Sequence, residues 1–327
     1  MTAIPDSAGA PGFNDVLAAA ARIAPHARVT PVLRSHSLDA IAGCELYFKC
    51  ETLQRIGAFK FRGAANAVFG LDDATAARGV VTQSSGNHGA AIALACRLRG
   101  IPAHVVAPEN TPQIKLSAIR DFGAQLVSCA PTIAARDASC ARVLAQTGGE
   151  LVHPYNDARV IAGQGTAALE LLHEAGRLDV VITPVSGGGL LSGTSIAAHG
   201  IDPSIEVWGA EPEQAADAHA SLERGERVTD MVPDTVCDGL RAQLGTLTFP
   251  ILRAHCAGIG LASEAEIIRA MRLIWERLKI VVEPSAAVPL AVVLRDPSRF
   301  AGRRVGIVLS GGNVDLDALP ALFALAR

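Results

Sequence analysis

The chain of 327 residues carries 29 lysines and arginines against 32 aspartates and glutamates, a net charge of −3, so it lacks the basic field that holds nucleic acid. Half of the residues are hydrophobic, enough to bury a large core in one large or two medium domains. No run of roughly eighteen or more apolar residues offers a membrane span, and Met1–Gly12 lacks the basic flank and apolar stretch of a signal peptide. The seven cysteines (44, 50, 96, 129, 140, 237 and 256) form no C-x-x-C pair and have no histidine at zinc-ligand spacing. They read as buried reduced thiols of a cytoplasmic protein.

Helical and strand patterns alternate along the chain. Glu45–Cys50 reads as a strand, Phe61–Leu71 as a helix and Gly79–Thr82 as a short apolar run. Asn87–Arg99 is an alanine-rich helix closed by Gly100 and Pro102. Ala103–Ala107 is a strand, and Pro112–Asp121 a helix with Thr111 as its cap. A strand at Gln125–Ser128 precedes helices at Ile133–Gln146 and Val160–Glu174. Further strands fall at Asp179–Thr183, Glu206–Ala210 and Val305–Leu309, and helices at Glu264–Leu278 and Ser285–Leu294. This rhythm predicts an α/β fold with mostly parallel sheet. Loops at the carboxyl ends of such strands bind ligands.

Four stretches carry chemistry. In Gly57–Ala64, Lys60 sits between Phe59 and Phe61 at a helix start. By local pattern it is an ordinary surface lysine; as a desolvated amine its pKa would fall, which a Schiff-base lysine needs. Ser84–Gly89 joins a strand to a helix whose first N–H groups suit a carboxylate, beyond the needs of an ordinary N-cap. Ser186–Gly193 opens another helix with three consecutive glycines, able to wrap a phosphate or simply to serve as a flexible loop. It matches neither the Walker A pattern nor G-x-G-x-x-G with an acidic residue about 20 positions on. Ser310–Asn313 follows a strand and could present a neutral hydroxyl to a ligand, or form a plain turn.

In this order the four stretches resemble the fold-type II pyridoxal 5′-phosphate (PLP) enzymes, in the threonine/serine dehydratase and serine racemase branch. The likeness runs from about Thr30 to Leu316 and includes Val160–Thr166, Cys237–Arg241 and Val282–Ala286. It implies a fold like the tryptophan synthase β chain, with two three-layer parallel-sheet domains. The larger would take residues 1–78 and 154–327, and the smaller, 79–153, would be inserted in it and close over the substrate.

The resemblance also implies roles. Lys60 would hold PLP and move the Cα proton, with Phe59 beside the ring. Asn87 would bond the 3′-oxygen, and Gly239 would adjoin the cofactor. Gly187, Gly188, Gly189 and Leu190 would bind the phosphate, with Ser186, standing where close relatives have a fourth glycine, adding a hydroxyl contact. Ser310 would meet the pyridine nitrogen. Ser84, Ser85, Asn87 and His88 would line the substrate carboxylate site. Ser85, across the cofactor from Lys60, would be a second acid/base. Arg136 could pair with a second carboxylate, as in 3-hydroxyaspartate, or be a surface helix residue. Tyr155 and Ala242 replace an asparagine and a serine of vertebrate serine racemases, which loosens strict serine specificity. Glu211, Ala215 and Asp217 match a structural divalent-cation site for Mg²⁺, Ca²⁺ or Mn²⁺, or else a solvated acidic helix start.

The implied activity is a dehydratase (ammonia-lyase) converting a β-hydroxy amino acid to a 2-oxo acid and ammonia. Serine, threonine, 3-hydroxyaspartate and aryl-serines all fit that chemistry. Racemisation of serine or aspartate through Lys60 and Ser85 is the alternative; a β-replacement synthase and a PLP- or amino-acid-binding regulator fit less well. The expected partner is a small amino acid, with no nucleic acid or membrane, and the expected assembly is a homodimer.

Overall fold

The computed structural model describes residues 9–326 except 85 and 112, and leaves aside the side chains of 114, 115 and 133. Ten strands form two sheets: β1 (Val32–Leu33), β2 (Glu45–Cys50), β3 (Val80–Gln83), β4 (Ala103–Pro108), β5 (Gln125–Cys129), β6 (Glu150–Leu151), β7 (Val180–Pro184), β8 (Glu206–Pro212), β9 (Gly258–Ala262) and β10 (Arg304–Leu309). The six-stranded sheet runs β1-β2-β10-β7-β8-β9, and the four-stranded sheet β5-β4-β3-β6. Every pairing is parallel except β1 with β2. The four-stranded sheet is built wholly from chain between β2 and β7.

Period-two alternation divides the large sheet between two cores. Leu46, Phe48, Ile182, Ile307 and Leu309 face the helices Glu264–Leu278 and Pro284–Arg295. Tyr47, Val181, Val207 and Val308 face the helices Ala158–Ala175 and Gly189–Ile201. The small sheet repeats the arrangement. Val80 and Val105 pack with helix Asn87–Arg99, and Val81 and Val106 with helix Ile133–Thr147. Both sheets are therefore covered on two faces, as parallel sheets require. Among the described residues no helix is long and apolar enough to cross a membrane. All seven thiols are free, and all but that of Cys256 are buried.

The motif Val160–Thr166 has an architectural use. Helix Ala158–Ala175 lies between helix Lys60–Phe69 and helix Gly189–Ile201, and glycines face glycines at both crossings. A Cβ on Gly163 would meet the Arg62 carbonyl at 2.8 Å, and one on Gly165 the Gly193 carbonyl at 2.7 Å. The helices that carry Lys60 and the glycine loop are drawn to one central helix by these contacts.

A charge quartet lies under the same junction. Arg62 is fully buried, with bonds of 2.7 and 2.8 Å to Glu51 and of 2.7 Å to each oxygen of Glu170. Lys49, also fully buried, pairs with Glu170 at 2.7 Å, and Thr30 donates to Glu51. Two cations and two anions close on themselves.

Several elements differ in detail from the sequence reading. The first helix of the glycine stretch begins at Gly189, and Lys60 itself opens the helix expected from Phe61. The helix expected from Pro112 is described from Gln113, with Pro112 outside the described residues. Strands β1, β6 and β9 and the helices Phe13–Ile23 and Thr248–His255 are not signalled in the sequence.

Candidate active site

A cavity of about 280 Å³ opens where the carboxyl ends of strands from both sheets converge. Lys60 reaches it from the start of its helix. Its half-buried amine donates to the Pro154 carbonyl at 2.9 Å and lies 5.1 Å from the Phe59 ring centre. Among the described residues it has no carboxylate partner. Burial lowers its pKa from 10.5 to about 8, so a usable fraction is unprotonated near neutral pH.

The glycine loop faces Lys60 across the cavity. Gly188 adopts φ +91°, the left-handed region, and a Cβ there would come within 2.8 Å of the Thr248 side chain. A Cβ on Gly187 would run into the Tyr155 ring. Thr248 Oγ1 donates to the Gly187 carbonyl at 2.7 Å, fixing the loop from behind. The following helix, Gly189–Ile201, starts with unpaired N–H groups directed at the cavity end, an anion site by geometry and dipole. Ser186 lines the cavity beside the glycines. Its hydroxyl donates to the Ala242 carbonyl at 3.1 Å and accepts from the Ala242 N–H at 3.0 Å. That side chain ties two loops together.

Ser310 directly follows β10, nearly buried, in the cavity wall. Its carbonyl accepts the Phe59 N–H at 2.9 Å, which locks the ring-side serine to the turn before Lys60. Asn87 is oriented from two sides: Asn313 Nδ2 donates to its Oδ1 at 2.8 Å, and its own Nδ2 points at the Glu283 carboxylate at 3.4 Å. Gly239 lines the cavity and donates to Ser285 Oγ at 3.2 Å. Ser84 accepts the Gly86 N–H at 3.3 Å. Ser85 lies outside the described residues.

These residues fit PLP. They combine an amine whose pKa burial lowers to about 8, a glycine cradle that a single Cβ would fill, and a neutral hydroxyl for the ring edge. Residues 23–311 match the family described as pyridoxal-phosphate dependent enzyme. The chain belongs to that family. It is 51% identical to a beta-hydroxyaspartate dehydratase from Paracoccus denitrificans, over 95% of this chain and 98% of that protein. It is 47% identical to a serine racemase from Dictyostelium discoideum, over 94% and 96%. The solved structure of maize serine racemase superposes with a TM-score of 0.93 at 44% identity, covering 96% of this chain and 97% of that one. The fold is thus that of fold-type II PLP enzymes.

This PLP enzyme also places residues that the sequence did not signal as functional. His153 enters the wall beside Lys60, and its Nδ1 accepts from the N–H groups of Tyr155 and Asn156 at 3.3 and 3.0 Å. Burial, with Lys60 nearby, lowers its pKa to about 4. His88 is buried and held well below its usual value by burial and by Lys60, and its Nδ1 has no partner among the described residues. Both rings are therefore neutral beside the lysine. Gln83 lines the cavity with a buried, unpartnered Oε1. Only Glu283 had a local signal, an acid directly before the proline that opens helix Pro284–Arg295.

Arg136 is placed in the cavity wall, half-buried on helix Ile133–Thr147. Among the described residues it forms no ion pair, and its Nε is buried without a hydrogen-bond partner.

Glu211, Ala215 and Asp217 sit away from the cavity, at the end of β8. Glu211 is fully buried and accepts the N–H groups of Ala218 and His219 at 3.0 and 2.9 Å. Asp217 accepts the Leu244 N–H at 3.1 Å. Burial and the neighbouring Asp217 push Glu211 well up, and burial pushes Asp217 to about 6. The reading as a solvated helix start is excluded by this burial. Two buried carboxylates that repel each other are oxygen donors that could take a hard divalent cation.

Proposed function

We propose that this enzyme is a PLP-dependent dehydratase that acts on 3-hydroxyaspartate within the wider class of β-hydroxy amino acids. The products are a 2-oxo dicarboxylate and ammonia: water leaves from Cα and Cβ and is taken up again when the released enamine hydrolyses. The observation that carries the substrate is Arg136. A half-buried guanidinium in the cavity wall, with no ion pair among the described residues, is placed to take an anion from a ligand, and a β-carboxylate supplies a two-pronged partner. The similarity to the beta-hydroxyaspartate dehydratase points the same way.

The roles follow from position. Backbone N–H groups of Gly187, Gly188, Gly189 and Leu190 would hold the cofactor phosphate, with Phe59, Asn87, Gly239 and Ser310 around the ring. When bound, PLP supplies a sink for negative charge at Cα, weaker for want of a carboxylate at its ring nitrogen. The free Lys60 amine accepts the Cα proton as general base. Ser84, Asn87 and His88, with Ser85, would receive the α-carboxylate. Neutral His88 and His153 keep positive charge away from Lys60, so its amine stays available as a base. Residues 79–153 would form a separate small domain bearing Arg136, so that closing it excludes water. Glu211, Asp217 and the Ala215 carbonyl would hold Mg²⁺, Ca²⁺ or Mn²⁺ structurally; a chelator that leaves the melting temperature unchanged would rule this out. A homodimer completes the proposal, to be checked by sedimentation.

Racemisation of serine or aspartate is the second reading, favoured by the likeness to the Dictyostelium and maize racemases. One screen separates the two: stereoisomers of 3-hydroxyaspartate, serine, threonine and phenylserine are assayed for 2-oxo acid release and for chiral inversion. The proposal expects fastest oxo-acid release from a 3-hydroxyaspartate isomer. Inversion of serine or aspartate outpacing every release rate would replace it.

A further inference from the structure

Helices Gly189–Ile201 and Thr248–His255 both begin at the phosphate cradle, where Thr248 touches Gly187. At their far ends they meet through two histidines. His199 Nδ1 and His255 Nδ1 are 3.0 Å apart, with the rings tilted by 51°. Both side chains are half-buried and so within reach of solvent ions.

The hydrogen bonds set the protons. His199 Nε2 lies 3.0 Å from the Ile205 carbonyl, which can only accept, so Nε2 carries the proton. In that tautomer His199 aims a bare Nδ1 lone pair at His255. An imidazole whose other nitrogen donates to a carbonyl is the usual arrangement of a metal ligand. Each histidine also lies in the last turn of its helix, where the carbonyl ends favour a cation. Arg253, in the same last turn as His255, is exposed and two residues away, so it projects from another side. Burial and His199 keep His255 below its ordinary pKa, leaving it uncharged at neutral pH.

The spacing is close to that of a chelate. Two imidazole nitrogens on a tetrahedral ion, each bonded at about 2.0–2.1 Å, stand about 3.3 Å apart. Ring movement of a few tenths of an ångström reaches that from the observed 3.0 Å. We propose that His199 and His255 form a binding site for a borderline divalent transition cation of the Zn²⁺, Ni²⁺ or Cu²⁺ class, with water completing the coordination. Among the described residues no third histidine, cysteine or carboxylate joins them. Nitrogen-only ligation excludes Mg²⁺ and Ca²⁺ as occupants, which sets this site apart from the Glu211–Asp217 pair. On binding, the His255 proton moves from Nδ1 to Nε2, so both lone pairs face the ion and no net proton is released. The ion would clip together two helices at the end opposite the cradle.

The test uses the holoenzyme, stripped with chelator and returned to Mg²⁺ buffer, then titrated with NiCl₂ by calorimetry. One equivalent should bind to the unaltered protein and to Cys256→Ser, and raise the melting temperature. His199→Gln and His255→Gln should each lose that equivalent while keeping cofactor absorbance and turnover. In the unaltered holoenzyme, Cu²⁺ should give an electron paramagnetic resonance spectrum with two nitrogen ligands. Uptake that persists in both variants, no uptake by the unaltered protein, or a spectrum with fewer than two nitrogens would overturn the site.

Discussion

Arg62 is fully buried and Arg136 half-buried in the cavity wall, and their surroundings are opposite. Around Arg62 every charge is answered: Glu51, Glu170 and Lys49 close a quartet with no vacancy for a ligand. Around Arg136 no ion pair forms among the described residues, and Gln83 and His88 in the same cavity wall each leave a polar atom without a partner there. Buried polar groups are normally satisfied. A satisfied cluster therefore marks architecture, and an unsatisfied one marks the place where something binds. Lys60 stands between the two regions, two residues from Arg62 in sequence and in the cavity with Arg136.

The largest expected effect of breaking this contrast is at the closed quartet. Arg62→Gln leaves Glu51 buried with its main partner gone and should destabilise the fold by about 3–5 kcal/mol, read by urea denaturation. A change below about 1 kcal/mol would show that the quartet is not integral to the fold.

Lys60 should behave in the reverse way in the cofactor-free protein, because its charged form is disfavoured by folding. Replacement by methionine should stabilise at pH 7, by up to about 3 kcal/mol. The dependence on pH follows from the folded value of about 8 against 10.5. Between those values the unfolded chain holds the proton and the folded chain does not, so wild-type stability rises with pH. The advantage of Lys60→Met should be complete below pH 8 and vanish as pH approaches 10.5. A gap that stays constant from pH 7 to 10 would mean that Lys60 is not desolvated.

The smallest of these effects on stability is at the cradle. Gly188→Ala forces an alanine into φ +91° against Thr248 and should cost about 1–2 kcal/mol, with weaker retention of PLP. Equal cofactor affinity in the variant, measured by absorbance titration, would remove Gly188 from the phosphate site.

The sequence carried much of this unevenly. Helix Asn87–Arg99 was legible to the residue because a glycine-rich entry and Gly100 punctuate it. The triple glycine and the ordered motifs were legible because each is a local chemical demand. Strand β9 was not: Gly258 and Gly260 weaken any strand pattern, and they are there to admit the Trp208 ring and Val292. Strand β6 is two residues long and exists only because β3 pairs with it. Gln83 and His153 carry no motif, and Arg136 is signalled only by the family resemblance. Their place in the cavity arises when two sheets from distant stretches of chain meet, and no window along the sequence contains that event. The same holds for Ser186, whose hydroxyl was drawn to Ala242 by a loop 56 residues on.

The account turns on the unanswered guanidinium. The direct measurement is kcat/KM for 3-hydroxyaspartate and for serine, in the wild type and in Arg136→Ala. The account predicts that the preference for the dicarboxylate falls on the order of 100-fold in the variant, with serine turnover little changed. A preference that survives the substitution, or an equal loss for both substrates, would contradict it.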